Sequence, residues 1–463
     1  MVHRFYIHTV GCQMNVLDSE LVAASLLEAG YQRVDRLALA DTILFNTCSV
    51  RQHAEDKIYS ALGRLRELKQ QSPETVIGVL GCMAQKDRER IMRRAPHVEL
   101  VVGPGQIRQL PELLDRIRSG RGPQLEVSLD RKGASRTAVE ESFDRYDPDR
   151  LAEARAARHQ AMVRITLGCD KFCTYCIVPS VRGPEQHRPA VQIEHEVRQL
   201  ADQGCLEVTL LGQTVNSYED ATNGRRVRLA DLLARIHDIA GLRRIKFVTN
   251  YPRHMTDDLL QAVRDLTKVS PYLHVPAQSG SNAVLARMKR GYTVEEYRDM
   301  LQRIRHYVPD AAVTSDFIVG FSGETEDDFQ QTMKLVAESR FKNSYIFKYS
   351  ERSGTVAARL YADDVPEATK RRRNNDLLAV QNEISLADNQ QWLGRRAEIL
   401  VEGPSKVTLK FGLPSHEPQL VGRTRCDRIV VFPGPAELVG RILDVDVVRA
   451  DGFTLFGQLP AAG

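Results

Sequence analysis

No stretch of this 463-residue chain approaches the run of about 18 apolar residues that a membrane-spanning helix needs. Nor does a basic start lead into an apolar leader, because Met1-Val2-His3-Arg4 passes directly into a strand-like run. Both absences argue against a membrane or secreted protein, and the expected location is the cytoplasm. Cysteine is scarce, eight in all, which rules out a disulfide scaffold in a chain this long. A strong excess of one charge is also missing. The formal net charge of +4 permits a nucleic-acid partner without demanding one. What remains, 42% apolar and 27% charged residues, describes a globular protein with ample core, long enough for roughly two to four domains.

The few cysteines are placed with order. Cys169, Cys173 and Cys176 are spaced CxxxCxxC, straight after the strand-like run 162–167 and Gly168. Three soft thiolates favour zinc or an iron–sulfur cluster. A structural zinc or ferredoxin-type site wants a fourth ligand nearby, and the next thiol, Cys205, lies 29 residues on. Four irons on three thiolates leave one iron open to a small molecule. The spacing resembles the signature of the radical S-adenosylmethionine enzymes. That resemblance implies an open iron chelated by the amino and carboxylate groups of S-adenosylmethionine, which an electron from the cluster splits into methionine and a 5′-deoxyadenosyl radical.

Strands and helices alternate before that motif, so residues 1–125 are expected to form an open parallel α/β domain. Strands are read at 5–10, 42–46, 75–80 and 99–102, with helices at 19–29, 53–70 and 85–94. Cys12, Cys48 and Cys82 follow the carboxyl ends of three of these strands, 36 and 34 residues apart. Ligands bind at that edge of open α/β sheets, and adjacent strands are only about 4.8 Å apart. Three thiols there suit a second, auxiliary cluster; three unrelated buried thiols are the plainer alternative. Residues 126–158 are read as a linker with one short strand and a helix near 148–158. Cys205 and Cys426 are expected to be ordinary buried thiols.

Six more strand-like runs, at 162–167, 207–211, 244–249, 272–275, 313–319 and 344–349, alternate with helical patterns. Residues 159–388 are therefore expected to form a partial (βα)6 barrel, with the three-cysteine loop at the carboxyl end of its first strand, where barrel active sites form. A bound adenosyl group needs acceptors for its ammonium and ribose hydroxyls. By position Glu207, Asn250, Gln278 and Asp316 are nominated, a buried loop-capping role being the alternative for each. Arg182 and Arg188 either meet an anionic partner or clamp the cluster loop. Phe172 and Tyr175 are expected to shield the cluster. The basic stretch 370–373 reads as the exposed face of a helix.

Short β-rich runs at 397–401, 406–411, 429–432, 438–448 and 453–456 suggest a small closed β barrel over residues 389–458. Nine Lys or Arg against eight Asp or Glu give residues 389–463 no compositional push towards RNA. A local patch of Arg423, Arg425, Arg428 and Lys410 with Phe411 remains open as a nucleic-acid contact.

Laid end to end, the chain resembles the radical S-adenosylmethionine methylthiotransferases over nearly its full length. The matching segments include Thr9-Val10-Gly11-Cys12-Gln13-Met14-Asn15, Asn46-Thr47-Cys48-Ser49-Val50-Arg51, Gly81-Cys82-Met83-Ala84 and Cys169 to Pro179. Others are Gly212 to Tyr218, Ser315 to Phe321 and Gly422-Arg423-Thr424-Arg425-Cys426, the last in a TRAM-like barrel. The chain departs from the usual pattern at Thr214, at Asn250-Tyr251, at Ser353 and at Val356, none of them a cluster ligand. The resemblance implies two 4Fe-4S clusters, one on Cys169, Cys173 and Cys176 and one on Cys12, Cys48 and Cys82, with S-adenosylmethionine as methyl donor and radical source. It implies a methylthio group added to carbon 2 of N6-isopentenyladenosine at position 37, in the anticodon stem-loop of tRNA. Threonylcarbamoyl-adenosine in tRNA or a ribosomal-protein aspartate are the alternative targets, and a zinc-stabilised RNA-binding protein is the non-enzymatic one. An electron donor such as flavodoxin or ferredoxin is implied, with no membrane partner and a monomeric enzyme.

Overall fold

The first sheet is parallel throughout. It holds β1 (Arg4–Val10), β2 (Gln32–Arg33), β3 (Thr42–Thr47), β4 (Val76–Leu80), β5 (Leu100–Val102) and β6 (Gln124–Glu126) in the order β2-β1-β3-β4-β5-β6. The computed structural model describes residues 2–49, 52–127, 150–221, 226–411 and 418–460. Strands β3 and β4 are buried at every position, as central parallel strands covered on both faces must be. Alternation sends Leu44 into one core with Leu17 and Leu21, and Ile43 and Phe45 into the other with Ile58 and Leu62.

The first helix runs over Gln13–Glu28 and so begins earlier than its sequence pattern suggested, with Cys12 itself as N-cap. It is buried nearly all round, so no polar face marks where it starts. Met162, Leu211 and Val248 of the central domain join the core on its side of the sheet. The single helix expected at 85–94 is two, Cys82–Asp87 and Glu89–Arg94, split at Arg88, which takes a left-handed φ of 45°. Strand β6 belongs to this first sheet and a further helix, Leu110–Arg118, precedes it. Near 148–158 the described residues hold only a 3-10 turn at Ala152–Ala154, and the rest of the expected linker lies outside them.

The central domain has β7 (Gln160–Arg164), β10 (Glu207–Leu211) and β13 (Arg244–Phe247) in one three-stranded sheet. A second holds β14 (Tyr272–His274), β15 (Ala312–Val319) and β16 (Asn343–Lys348). A parallel bridge between Ile245 and Val269, and the Asn250 N–H donated to the His274 carbonyl at 3.0 Å, carry one sheet into the next. The result is the expected open barrel of six parallel strands. Two short antiparallel pairs decorate it: β8 (Thr166–Leu167) with β9 (Gln186–His187), framing the cysteine loop, and β11 (Glu219–Asp220) with β12 (Val227–Arg228).

Helix Glu367–Gln390 leads to the tail. Of its basic stretch, Lys370 and Arg373 are buried, not exposed. Lys370 donates to Asp363 and to the Tyr349 carbonyl, and Arg373 to Glu324 at 2.9 Å. The tail closes into a barrel of β17 (Arg396–Pro404), β18 (Gln419–Thr424), β19 (Ile429–Pro433), β20 (Ile442–Ala450) and β21 (Thr454–Gln458). The expected strand at 406–411 is a helix, Lys406–Phe411, and the second strand is Gln419–Thr424. The apolar–polar alternation of Val407 to Leu409 was misleading. Ser405 Oγ accepts the Thr408 N–H at 3.2 Å, an N-terminal cap that turns the chain into a helix.

This barrel docks on the amino-terminal ends of the central strands through a network of charges. Lys246 pairs with Glu207 and with Asp427, each at 3.1 Å, and Arg244 with Glu398 at 2.8 Å. The suggested basic patch is spent on this junction. Arg423 pairs with Glu402 and Asp427, Arg425 donates to the Thr267 and Val269 carbonyls, and Arg428 pairs with Asp388. The side chains of Lys410 and Phe411 lie outside the described residues.

Candidate active site

Each amino-terminal thiol is set by the strand before it. Cys12 follows β1, Cys48 follows β3 and Cys82 follows β4, three adjacent strands on the carboxyl edge. Order β2-β1-β3 places the reversal of direction between β1 and β3, the switch point where open α/β sheets bind ligands. Two glycines let the loop tips converge. A Cβ on Gly11 would stand 2.8 Å from the Cys48 Cβ, and one on Gly81, whose φ is +86°, 2.3 Å from Asn46 Oδ1. Asn15 and Asn46 lock the tips from behind. Asn15 Nδ2 donates to Asn46 Oδ1 at 3.2 Å, Asn46 Nδ2 to the Asn15 carbonyl at 2.9 Å, and the Cys12 thiol to Asn15 Oδ1 at 3.2 Å. The Cys12 thiol is brought down to about 6 by its hydrogen bond with Cys48, helped by the nearby charge of Arg182 against the cost of burial. Burial pushes Cys82 the other way.

The second set sits on the loop that leaves β8. Gly168 turns it with φ +77° against the Gly183 and Pro184 carbonyls, where a Cβ would stand 1.9 Å from the Pro184 oxygen. Thr174 pins the loop to the end of helix Asn282–Arg287, its N–H donating to the Met288 carbonyl at 3.0 Å and its hydroxyl to the Arg287 carbonyl at 2.8 Å. Arg290 Nη1 donates to the Cys173 sulfur at 3.3 Å and Nη2 to the Pro276 carbonyl at 3.1 Å. Burial raises the Cys176 thiol to about 12, and Cys169 is raised for the same reason. A thiol so disfavoured as a free anion ionises when a metal takes its proton's place.

The two sets meet. Cys82 packs on Ile177 and Val181, just beyond Cys176, and all six thiols line one cavity of about 330 Å3. Asn250, Gln278 and Asp316 line it too. Asn250 Oδ1 is buried without a hydrogen-bond partner among the described residues, and so is Gln213 Oε1 on the same wall. Both are acceptors waiting for a donor. Gln278 is held in a left-handed conformation, φ 71°, by backbone bonds to Asp316 and Ile318.

Glu207 is a correction. It opens β10 at the end opposite Leu211 and Gly212, which line the cavity, about 13 Å away at 3.3 Å per residue. It accepts from Gln160 at 2.8 Å and pairs with Lys246, so it belongs to the barrel junction. A Glu207→Gln variant is expected to bind S-adenosylmethionine as the wild type does while losing thermal stability; equilibrium dialysis and a melting curve check both. Phe172 is 52% exposed at φ 49° and stands outside the cavity lining, whereas Tyr175 is part of it. Arg188 pairs with Glu196 and Arg182 with Asp18, so both meet carboxylates of the protein. The sequence pattern missed Arg290, Asn15 and Asp18. The break at Arg290-Gly291 between helices Asn282–Arg287 and Val294–Tyr307 was the one visible sign.

The chain matches three family models: uncharacterized protein family UPF0004 at residues 4–103, the radical SAM superfamily at 163–336 and the TRAM domain at 390–459. In overall shape it is similar to the radical S-adenosylmethionine methyltransferase TsrM from Kitasatospora setae, with a TM-score of 0.55 over 77% of each chain at 13% identity, a likeness of fold alone. In sequence it is 56% identical to the tRNA-2-methylthio-N(6)-dimethylallyladenosine synthase of Rhodopirellula baltica over 99% of this chain and 96% of that one. The synthase of that name from Moorella thermoacetica is 43% identical over 98% of both chains, and that of Bordetella pertussis 43% over 98% and 97%. With six thiols on one cavity, three matched domains and identity of this extent from end to end, the chain belongs to the family of the tRNA-2-methylthio-N(6)-dimethylallyladenosine synthases, radical S-adenosylmethionine methylthiotransferases.

Proposed function

We propose that this enzyme adds a methylthio group to carbon 2 of N6-dimethylallyladenosine at position 37 of tRNA, using two 4Fe-4S clusters that share one cavity. The observation that carries the proposal is the cavity itself, which Cys12, Cys48 and Cys82 enter from one domain and Cys169, Cys173 and Cys176 from another. Among the described residues no three His, Cys, Asp or Glu side chains converge on a single-ion position. A multi-iron cluster takes its thiolates at widely spaced corners, and it is the group that these two donor sets suit. When bound, the clusters and S-adenosylmethionine supply electron transfer, a carbon radical and the sulfur and methyl to be transferred, a route open at an aromatic C–H that no general base can deprotonate.

The chain's own residues bind, orient and exclude. Asn250 Oδ1, Gln278 and the Asp316 carboxylate, all on the cavity wall, would accept from the donors of S-adenosylmethionine. Tyr175, Tyr251 and Arg290 wall the cavity, Arg290 lying over the rings of Tyr251 and Tyr292. The cavity is enclosed by two domains, so the target base leaves its stack to enter. A small acidic electron carrier of the flavodoxin or ferredoxin kind, a monomeric state and a cytoplasmic location complete the proposal; no helix of the described residues is long and apolar enough to cross a membrane. Anaerobic reconstitution is expected to give about eight irons per chain. Nucleoside mass analysis should then show the methylthio product on dimethylallyladenosine tRNA, and none on threonylcarbamoyl-adenosine tRNA or a ribosomal protein. Product on either of the latter alone would overturn the substrate assignment.

A further inference from the structure

Arg182 stands between the two cysteine sets and belongs to neither. It ends helix Val178–Arg182, which follows directly on Cys176, yet its guanidinium reaches into the other domain. It donates to Asp18 Oδ2 at 2.6 Å, on the helix that Cys12 caps. It lines the same cavity wall as Cys12, Cys48 and Cys82, close enough for its charge to act on Cys82 and Cys12. The side chain is 2% exposed and lines the shared cavity. Asp18 is equally buried and lies 3.4 Å from Arg164 on its other oxygen, so the carboxylate is held and in turn holds Arg182 in one pose. A guanidinium is always charged and its planar fork serves two acceptors at once. Here the guanidinium bonds a carboxylate of the amino-terminal domain and stands beside that domain's thiols, while the residue itself comes from the radical domain.

We infer that Arg182 is the positioning residue and counter-charge of the Cys12, Cys48 and Cys82 cluster, supplied across the domain junction. The amino-terminal centre is therefore electrostatically complete only when the radical domain is docked on it. The inference rests on the proposal above that these three thiols hold a cluster. Charge and hydrogen bonds at the sulfurs set a cluster's reduction potential. A positive charge beside the thiolates favours the reduced state, and its loss moves the potential to more negative values. Asp18 works in opposition, so neutralising it moves the potential to more positive values.

The test uses the full chain, reconstituted anaerobically, as wild type and as Arg182→Gln, Arg182→Lys and Asp18→Asn. Each is also made with Cys173→Ala, which leaves the amino-terminal cluster as the one titrated. In a redox titration followed by electron paramagnetic resonance, Arg182→Gln is expected to shift the potential downward, Asp18→Asn upward, and Arg182→Lys to stay near the wild type. With Cys173 intact, Arg182→Gln should lower methylthio product about tenfold or more while cleavage of S-adenosylmethionine to 5′-deoxyadenosine continues. An ion pair that merely docks the domains would move no potential, or move both variants in one direction, and either result overturns the inference. Should Arg182→Gln fail to fold, the Asp18→Asn shift decides alone. A wild type holding about four irons sinks the two-cluster proposal itself, whereas about eight irons with unmoved potentials sinks this inference alone.

Discussion

Changing Cys82 to alanine is expected to remove methylthio transfer, by more than about a hundredfold, while leaving the cleavage of S-adenosylmethionine intact. Cys82 is 5% exposed and packs on Ile177 and Val181, so alanine fills nearly the same space, and Arg182 keeps its bond to Asp18. The fold should survive, and circular dichroism would show it. On the proposed reading one of three ligands is lost, a greater change than the loss of an outer-shell partner, which already costs about 10–100-fold. Iron per chain should fall by about half. The cluster on Cys169, Cys173 and Cys176 is untouched and still turns over its cofactor. Product at the wild-type rate from the alanine variant would show that Cys82 holds nothing needed, and the two-cluster proposal would fail with it.

The second large effect concerns stability. Asp427 sits at the centre of the barrel junction, paired with Lys246 at 3.1 Å and Arg423 at 3.0 Å, while Lys342 donates to its backbone carbonyl. Its φ of 61° is left-handed, a conformation asparagine tolerates, so Asp427→Asn isolates the charge from the shape. Removing one partner of a partly buried ionic network leaves the others uncompensated, and the expected cost is on the order of 2 kcal/mol, less than for a fully buried pair. Urea denaturation measures it.

The pH dependence carries a sign that can be checked. Burial pulls the Lys342 amine from its ordinary 10.5 down to about 8 in the folded chain. Between those values the unfolded chain binds more protons, so this group makes stability rise with pH from about 8 to 10.5. Below about 8 it is charged in both states, and there the full penalty of burying it is present. Asp427→Asn removes the negative charge that keeps Lys342 protonated, so its damage should be greatest near neutral pH and shrink in alkali. A penalty that does not change between pH 7 and pH 10 would contradict this account of the junction.

Much of the architecture could be read from local pattern. The six strands of the central barrel and four of the amino-terminal strands were marked by apolar runs between helical stretches, and the cysteine spacing marked the chemistry. The errors have local causes as well. Segment 406–411 alternates like a strand, but Ser405 caps it as a helix. The basic cluster at Arg423, Arg425 and Arg428 looks like an RNA surface until the junction consumes it. Glu207 was nominated by position, although its place at the start of a strand put it at the end away from the cavity.

By itself the sequence determined which thiols are placed with order, the order of the domains and the end of each strand at which those thiols sit. Spacing along the chain and the period of apolar residues are local properties that survive without any knowledge of packing. Only the tertiary structure decided that the two cysteine sets share a cavity, that Asp18 and Arg182 join across it, and that Glu207 serves the barrel instead. Those pairs lie far apart in the chain, 164 residues in the case of Asp18 and Arg182. Their meeting depends on how whole domain faces pack, a sum of many small contacts that no short stretch of residues encodes.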